Sequence, residues 1–220
     1  MRYYIADLHF YHSRLNNAMD NRGFASLEEM NAYMIDRWNS KVRKNDEVVI
    51  LGDFSIGKGE ATNEILARLN GRKFLIRGNH DYFLDDRKFN KSHFDWVESY
   101  KEMSDHRRKV VLCHYPIMNY NGQFRCNDKK IFNTYMLYGH VHNSFDEGLV
   151  NNYINSTKGV RASIKGFDEP VEIPVHLINC FCMFSDYVPL TLDEWIENDK
   201  KRRAAMNAGA CHGGSPLSQG

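Results

Sequence analysis

Lys73-Phe74-Leu75-Ile76-Arg77-Gly78-Asn79-His80-Asp81 is the stretch whose reading decides the fold. Its first half is a short apolar run of the kind that forms a buried strand. Its second half breaks at a glycine and delivers an amide, an imidazole and a carboxylate in succession. Polar chemistry placed directly after a strand is how open α/β sheets build sites, because the loops leaving the carboxyl ends converge there.

Working outward, the same arrangement recurs. Arg2 to Ile5 reads as a first strand and is followed by Asp7-Leu8-His9; Glu47 to Leu51 reads as a second and is followed by Gly52-Asp53. Beyond the central stretch, Lys109 to Cys113 leads into His114, and Tyr135 to Tyr138 leads into Gly139-His140-Val141-His142. Helical patterns separate the strands. Ser26-Leu27-Glu28-Glu29 has the form of a capping box, with Leu27, Met30, Met34, Ile35 and Trp38 at helical spacing up to about Val42. Glu60 to Leu69 predicts a second helix stopped near Gly71, and Thr191-Leu192-Asp193-Glu194 opens a last one. Asn151 to Asn179 reads as a β-meander with turns at Lys158-Gly159 and Lys165-Gly166. This alternation argues for an α/β fold in one domain over residues 1–206, with a flexible Gly- and Ser-rich tail over residues 207–220.

The 220 residues are 42% hydrophobic and 13% aromatic, enough for a proper core. Twenty-nine basic residues nearly cancel 28 acidic ones, so no field of one sign draws the whole molecule to nucleic acid or an anionic membrane. The first residues leave no room for a signal peptide, and nowhere do about 18 apolar residues run together. Five cysteines include Cys180 and Cys182, which a continued strand would put on one face as reduced, buried thiols. The expectation is a cytoplasmic protein that does not enter the membrane.

The residue types at the strand ends suit one task. Carboxylate oxygen and imidazole nitrogen together bind divalent Zn, Mn, Fe or Ni. Asp7 and His9 point to one side if the backbone stays extended, and so do His140 and His142. Two dications about 3.5–4 Å apart need a charged bridging ligand, for which Asp53 is the natural candidate. Asn79 offers a neutral oxygen, and the glycines at 52, 78 and 139 free the backbone to turn where a ligand must be aimed. Singly, Asp7 or Asp53 could cap a turn and His114 could be a satisfied core histidine; seven such coincidences in order are another matter. Near the site, His12 reads either as a substrate contact or as a surface histidine. Arg22 and Arg77 are candidates for bidentate binding of a substrate phosphate.

The ordered set Asp-x-His, Gly-Asp, Gly-Asn-His-Asp, His, Gly-His-x-His, from Asp7 to His142, resembles the full signature of the calcineurin-like metallophosphoesterases. The resemblance implies a four-layer α/β/β/α sandwich of two mixed sheets. It also implies two divalent metal ions, manganese among the choices. Asp7, His9 and His142 would hold the first, Asp53 would bridge, and Asn79, His114 and His140 would complete the second. Hydrolysis would follow in-line attack of a hydroxide shared by the metals, with His80 as general acid and Asp81 fixing its tautomer and raising its pKa. Phosphoprotein phosphatases of this superfamily carry an arginine soon after Gly-Asp; here the chain reads Phe54-Ser55-Ile56-Gly57. What remains is similar to small, stand-alone bacterial or phage enzymes. The expected activity is a phosphodiesterase for a nucleotide-like or nucleic-acid-end substrate, ahead of a phosphomonoesterase and of a scaffold without catalysis. The segment from Tyr82 to Ser104 is expected to cover the pocket, with Phe83, Phe89, Phe94 and Trp96 packing or stacking a base.

Overall fold

Alternation along the strands divides the core into three layers of apolar contact. In the computed structural model, which describes residues 1–210, β1 (Arg2–Ile5), β2 (Glu47–Ile50), β3 (Arg72–Ile76) and β4 (Val97–Glu98) form one sheet in that order, every pairing parallel. An antiparallel bridge between Tyr4 and Leu190 at the β1 edge makes it mixed. The second sheet runs β10 (Leu177–Asn179), β7 (Thr134–Tyr138), β6 (Arg108–Cys113), β5 (Tyr100–Asp105), with only the β5–β6 pair antiparallel.

Tyr3, Ile5, Val48, Ile50 and Leu75 face outward onto helices α1 (Leu27–Lys41) and α2 (Gly59–Arg68), packing against Met34, Trp38 and Ile65. Their alternates Tyr4, Ala6, Val49, Leu51 and Phe74 face inward onto Val110, Leu112, Leu137 and Ile178 of the second sheet. The far side of that sheet, Val111, Met136, Tyr138 and Leu177, is covered by Val150 and Ile154 of α3 (Phe145–Thr157). Three contact layers separate four structural ones: the fold is the expected α/β/β/α sandwich. Helix α4 (Leu192–Ala210) closes the seam, burying Trp195 between the sheets with its indole N–H donated to the Tyr4 carbonyl (2.8 Å).

The predicted caps form. Ser26 Oγ accepts from the Glu29 N–H at 3.1 Å, and Val42 ends α1. Thr191 and Glu194 bond reciprocally, N–H to Oε2 at 2.8 Å and N–H to Oγ1 at 3.3 Å. The β-meander expected over Asn151–Asn179 does not. Ser144 accepts from the Asp146 N–H and starts α3, so residues up to Thr157 are helical; only the short hairpin of β8 (Arg161–Ala162) and β9 (Val171–Glu172), then β10, remain extended. Val150 and Ile154 are four apart and buried on one helical face, which outweighs the poor helix propensity of the asparagines between them.

The strand expected through Cys180 and Cys182 stops at Asn179, and a 3-10 turn over Cys182–Ser185 follows. Cys180 therefore packs between the sheets and Cys182 against the α1 side, on opposite faces; both are free and buried. The segment from Tyr82 to Ser104 is no cover either. It carries the chain from the first sheet to the second, with Phe83, Phe89 and Phe94 buried in the α1–α2 core. Residues 207–210 of the expected tail continue α4, and residues 211–220 lie outside those described.

Candidate metal centre

Because β1, β2 and β3 are parallel to one another, and β6 and β7 likewise, the five polar loops leave the same edge of the sandwich and meet. Asp7, His9 and His142 bring their ligand atoms within 4.8 Å of one another, and so do Asp53, His114 and His140. Asn79 joins the second group, its Oδ1 3.0 Å from His114 Nε2 and 2.9 Å from His140 Nδ1. Asp53 Oδ2 stands between the groups, 3.4 Å from His9 Nε2 and 3.4 Å from His114 Nε2. Two sets of imidazole and carboxylate donors with one carboxylate between them fit a dinuclear centre. His9 Nε2 and His142 Nε2 converge at 3.2 Å; a cation between them would take a lone pair from each neutral ring.

The convergence is achieved differently from the extended geometry expected. Asp7, His9, Asp53, His140 and His142 all take positive φ, between 48° and 69°. Left-handed backbone at non-glycine residues costs on the order of 1–3 kcal/mol each and persists where the surroundings over-determine it. His140 and His142 consequently diverge into different groups. The glycines matter in two ways. Gly52 has the positive φ that a sharp turn requires (90°). Gly78 is needed for space, since a Cβ there would strike the Asp53 carboxylate.

Hydrogen bonds fix the ligands from behind. Asp7 accepts from the His140 N–H (2.9 and 3.1 Å), and Asp53 Oδ1 accepts from the His80 N–H (2.8 Å). His114 Nδ1 lies 2.8 Å from the Leu51 carbonyl, which can only accept, so Nδ1 carries a proton and Nε2 faces Asp53 and Asn79. Burial pushes the Asp7 carboxyl up to about 6, against the pull of His142 and His114. At Asp53 burial is outweighed by the hydrogen bond and charge of His114 and by the charge of His9, which hold the carboxyl well below the usual carboxylate range. Burial likewise disfavours a charged His114, but its contacts with Asp53 and Asp7 prevail and raise it to about 9.

His9, Asp53, His140 and His142 of the two groups line an open cleft of about 550 Å³, together with His12, Arg14, Met19, Asp20 and His80. The His80 ring belongs to neither metal group and lies 5.5 Å from that of His9. His12 lines the cleft beside both, its ring 5.4 Å from His9 and 6.5 Å from His80; burial and neighbouring positive charge lower its pKa. Asp81 was expected against the His80 ring. Its carboxylate instead accepts three backbone N–H groups, from Gly78 (2.8 Å), Phe54 (2.8 Å) and Asp53 (3.1 Å), and so ties the β2 and β3 loops together. The aspartate follows its histidine so closely that its side chain turns back under the loop.

Neither arginine sits as expected. Arg77 pairs with Asp85 at the surface and takes no part in the cleft. Arg22 is buried beneath it, donating to the carbonyls of Leu8 (2.7 Å) and Asp7 (3.0 Å) and to Asp20. Two residues of the site carried no signal in the chain. Asp20 meets His142 across 122 positions, and Tyr115 places its ring 4.5 Å from that of His140 with its hydroxyl 3.5 Å from Asn79 Oδ1.

The family model described as calcineurin-like phosphoesterase matches residues 3–160. An uncharacterized protein of Methanocaldococcus jannaschii is 34% identical over 148 residues, 66% of this chain and 72% of its own length. The gene 66 protein of Mycobacterium phage L5 is 41% identical over 83 residues (36% of this chain, 39% of the relative), and that of phage D29 is 26% identical over 172 (68% and 82%). A crystal structure of an Aquifex aeolicus protein of unknown function shares the fold, with a TM-score of 0.61 at 24% identity, covering 90% of this chain and 98% of that one. The family match takes in every polar strand end from Asp7 to His142, and this chain belongs to the calcineurin-like phosphoesterases.

Proposed function

We propose that this protein is a dinuclear metal-dependent phosphodiesterase acting on a small nucleotide-like substrate or a nucleic-acid end. The observation that carries the reading is the pair of Asp/His groups sharing Asp53, with the His80 imidazole beside them in the same cleft and committed to neither. Two bound divalent ions would supply Lewis acidity toward the phosphate oxygens and activate water for attack on phosphorus.

The remaining work falls to the chain. Asp7, His9 and His142 would hold one ion; Asn79, His114 and His140 the other; Asp53 both. His80 holds a ring proton for the leaving-group oxygen, and its backbone N–H to Asp53 registers it against the ligands. Asp81 keeps the loops carrying Asp53 and His80 at a fixed separation. His12, neutral near pH 7, offers a hydrogen bond at the cleft wall. The width of the cleft and the exposed apolar side chain of Met19 in its wall favour a diester with an organic group on each side of the phosphate. A cytoplasmic setting is supported by the free thiols of the described cysteines, and no described helix is long and apolar enough to cross a membrane.

Hydrolysis of bis-p-nitrophenyl phosphate and of p-nitrophenyl phosphate, metal-stripped and with added manganese, tests the reading. We expect manganese-dependent cleavage with the diester preferred. A monoester preference would move the assignment to a phosphomonoesterase; no cleavage of either ester with any divalent metal would sink both in favour of a scaffold.

A further inference from the structure

Among the imidazoles of the two groups, His142 has its back nitrogen hydrogen-bonded to a carboxylate. Its Nδ1 lies 2.8 Å from Asp20 Oδ1, and its ring stacks on Phe181 (centroids 4.7 Å apart, planes at 20°). Edge and face are thus both held. A carboxylate accepts, so Nδ1 carries a proton, and in the neutral ring Nε2 is the bare nitrogen, facing His9 Nε2 at 3.2 Å and Asp7 Oδ1 at 3.8 Å.

Asp20 is itself locked. Its side chain is 6% exposed, and Oδ2 receives Nε (3.1 Å) and Nη2 (3.0 Å) of Arg22, whose side chain is wholly buried. The guanidinium also donates to the Leu8 and Asp7 carbonyls, at 2.7 and 3.0 Å, and to Met34 Sδ of α1 at 3.7 Å. One arginine therefore grips the backbone of one ligand and the carboxylate that aims another. The second group has no such device: His114 bonds the Leu51 carbonyl, and His140 Nδ1 faces Asn79 itself.

We propose that Asp20, braced by Arg22, is a positioning residue for the first metal: it sets the His142 tautomer, aims Nε2 and adds negative charge behind the ligand. The inference rests on the dinuclear reading above. Carboxylates behind metal-bound imidazoles are worth about 10–100-fold in metal affinity when removed. Asp20 has the geometry for that effect.

The test uses the full chain, metal-stripped, as wild type, Asp20→Ala and Asp20→Asn. Manganese alone is titrated in and the free ion counted by electron paramagnetic resonance. We expect wild type to bind two ions. Asp20→Ala should keep one site and weaken the other about 10–100-fold. Asp20→Asn keeps an acceptor oxygen for Nδ1–H while losing the charge, and should fall between. It also guards against the chance that alanine, leaving Arg22 buried without its partner, disturbs the fold. Nitrogen-15 NMR of metal-free wild type, above the pKa of His142, should find the Nδ1–H tautomer, which a merely structural aspartate would not require. Two sites of wild-type affinity in both variants, or an Nε2–H tautomer for His142, would overturn the proposal. A wild type that takes up no manganese would overturn the dinuclear reading and this inference with it.

Discussion

The two halves of the metal centre are built on different supports. The half around Asp7, His9 and His142 is sunk in the protein and braced from behind by side chains of the β1–α1 loop. The half around Asn79, His114 and His140 is braced by main chain, with Tyr115 lying over His140 at the surface. The braces of the first half are side chains far apart in sequence, whereas those of the second are the Leu51 carbonyl at the end of β2 and its own ligands.

Removing what the halves share should have the largest effect. Asp53→Ala is expected to cut hydrolysis by at least about 10³-fold, since metal ions supply several kcal/mol of charge stabilisation and about 1.4 kcal/mol is tenfold in rate. Metal content should fall together with kcat. Loss of activity with two ions retained would mean that Asp53 does not bridge.

His80→Ala leaves both halves intact and should cost about 10²–10⁴-fold in kcat. The loss should be greatest for diesters with poorly acidic leaving groups and least for p-nitrophenyl esters, with two ions still bound. An equal loss across leaving groups would remove His80 from the proton-donor role.

Acidity should separate metal binding from folding. In the metal-free chain His114 is raised to about 9, so below that pH a proton must leave before Nε2 can coordinate. Affinity at the second half should rise with pH, by up to about tenfold per unit, and level off above about 9. In the first half Asp7, raised to about 6, works in the same direction below that pH. Without metal the sign reverses for stability. A raised folded pKa favours the folded state below the unfolded value, so the His114 contribution is full below about 6.5 and lost as pH rises through 9. Titration calorimetry in two buffers of different ionisation enthalpy reads the protons released; none released at pH 7 would contradict the assignment.

Arg77→Ala should do least. Its partner Asp85 is exposed, and a surface ion pair is worth about 0–1 kcal/mol. We expect unchanged KM and a melting temperature within a few degrees of wild type. A several-fold rise in KM would restore Arg77 to the substrate site.

What could be read from the chain divides along the same line as the two halves. Ligands at strand ends were legible because residue type, glycine and apolar run stand next to each other, as in Ile76-Arg77-Gly78-Asn79-His80. The braces were not. Asp20 reaches His142 across 122 positions, and Arg22 turns inward to carbonyls of Asp7 and Leu8 that only the folded loop presents to it. Asp81 was read as a partner for the neighbouring ring, yet three nearby N–H groups compete for its carboxylate and win. Helix α3 was missed because Asn151, Asn152 and Asn155 mask a pattern that depends on Val150 and Ile154 finding the second sheet. Local chemistry was visible; partners brought together by tertiary packing were not.

The central claim is that Asp53 joins two metal sites that together hydrolyse a phosphate diester. It is tested most directly by counting divalent ions per chain in wild type and Asp53→Ala while following bis-p-nitrophenyl phosphate hydrolysis in the same samples. We expect two ions and metal-dependent cleavage in wild type, with both lost together in the variant. A wild type that cleaves the diester with no divalent ion bound, or a variant that keeps two ions and full activity, would contradict it.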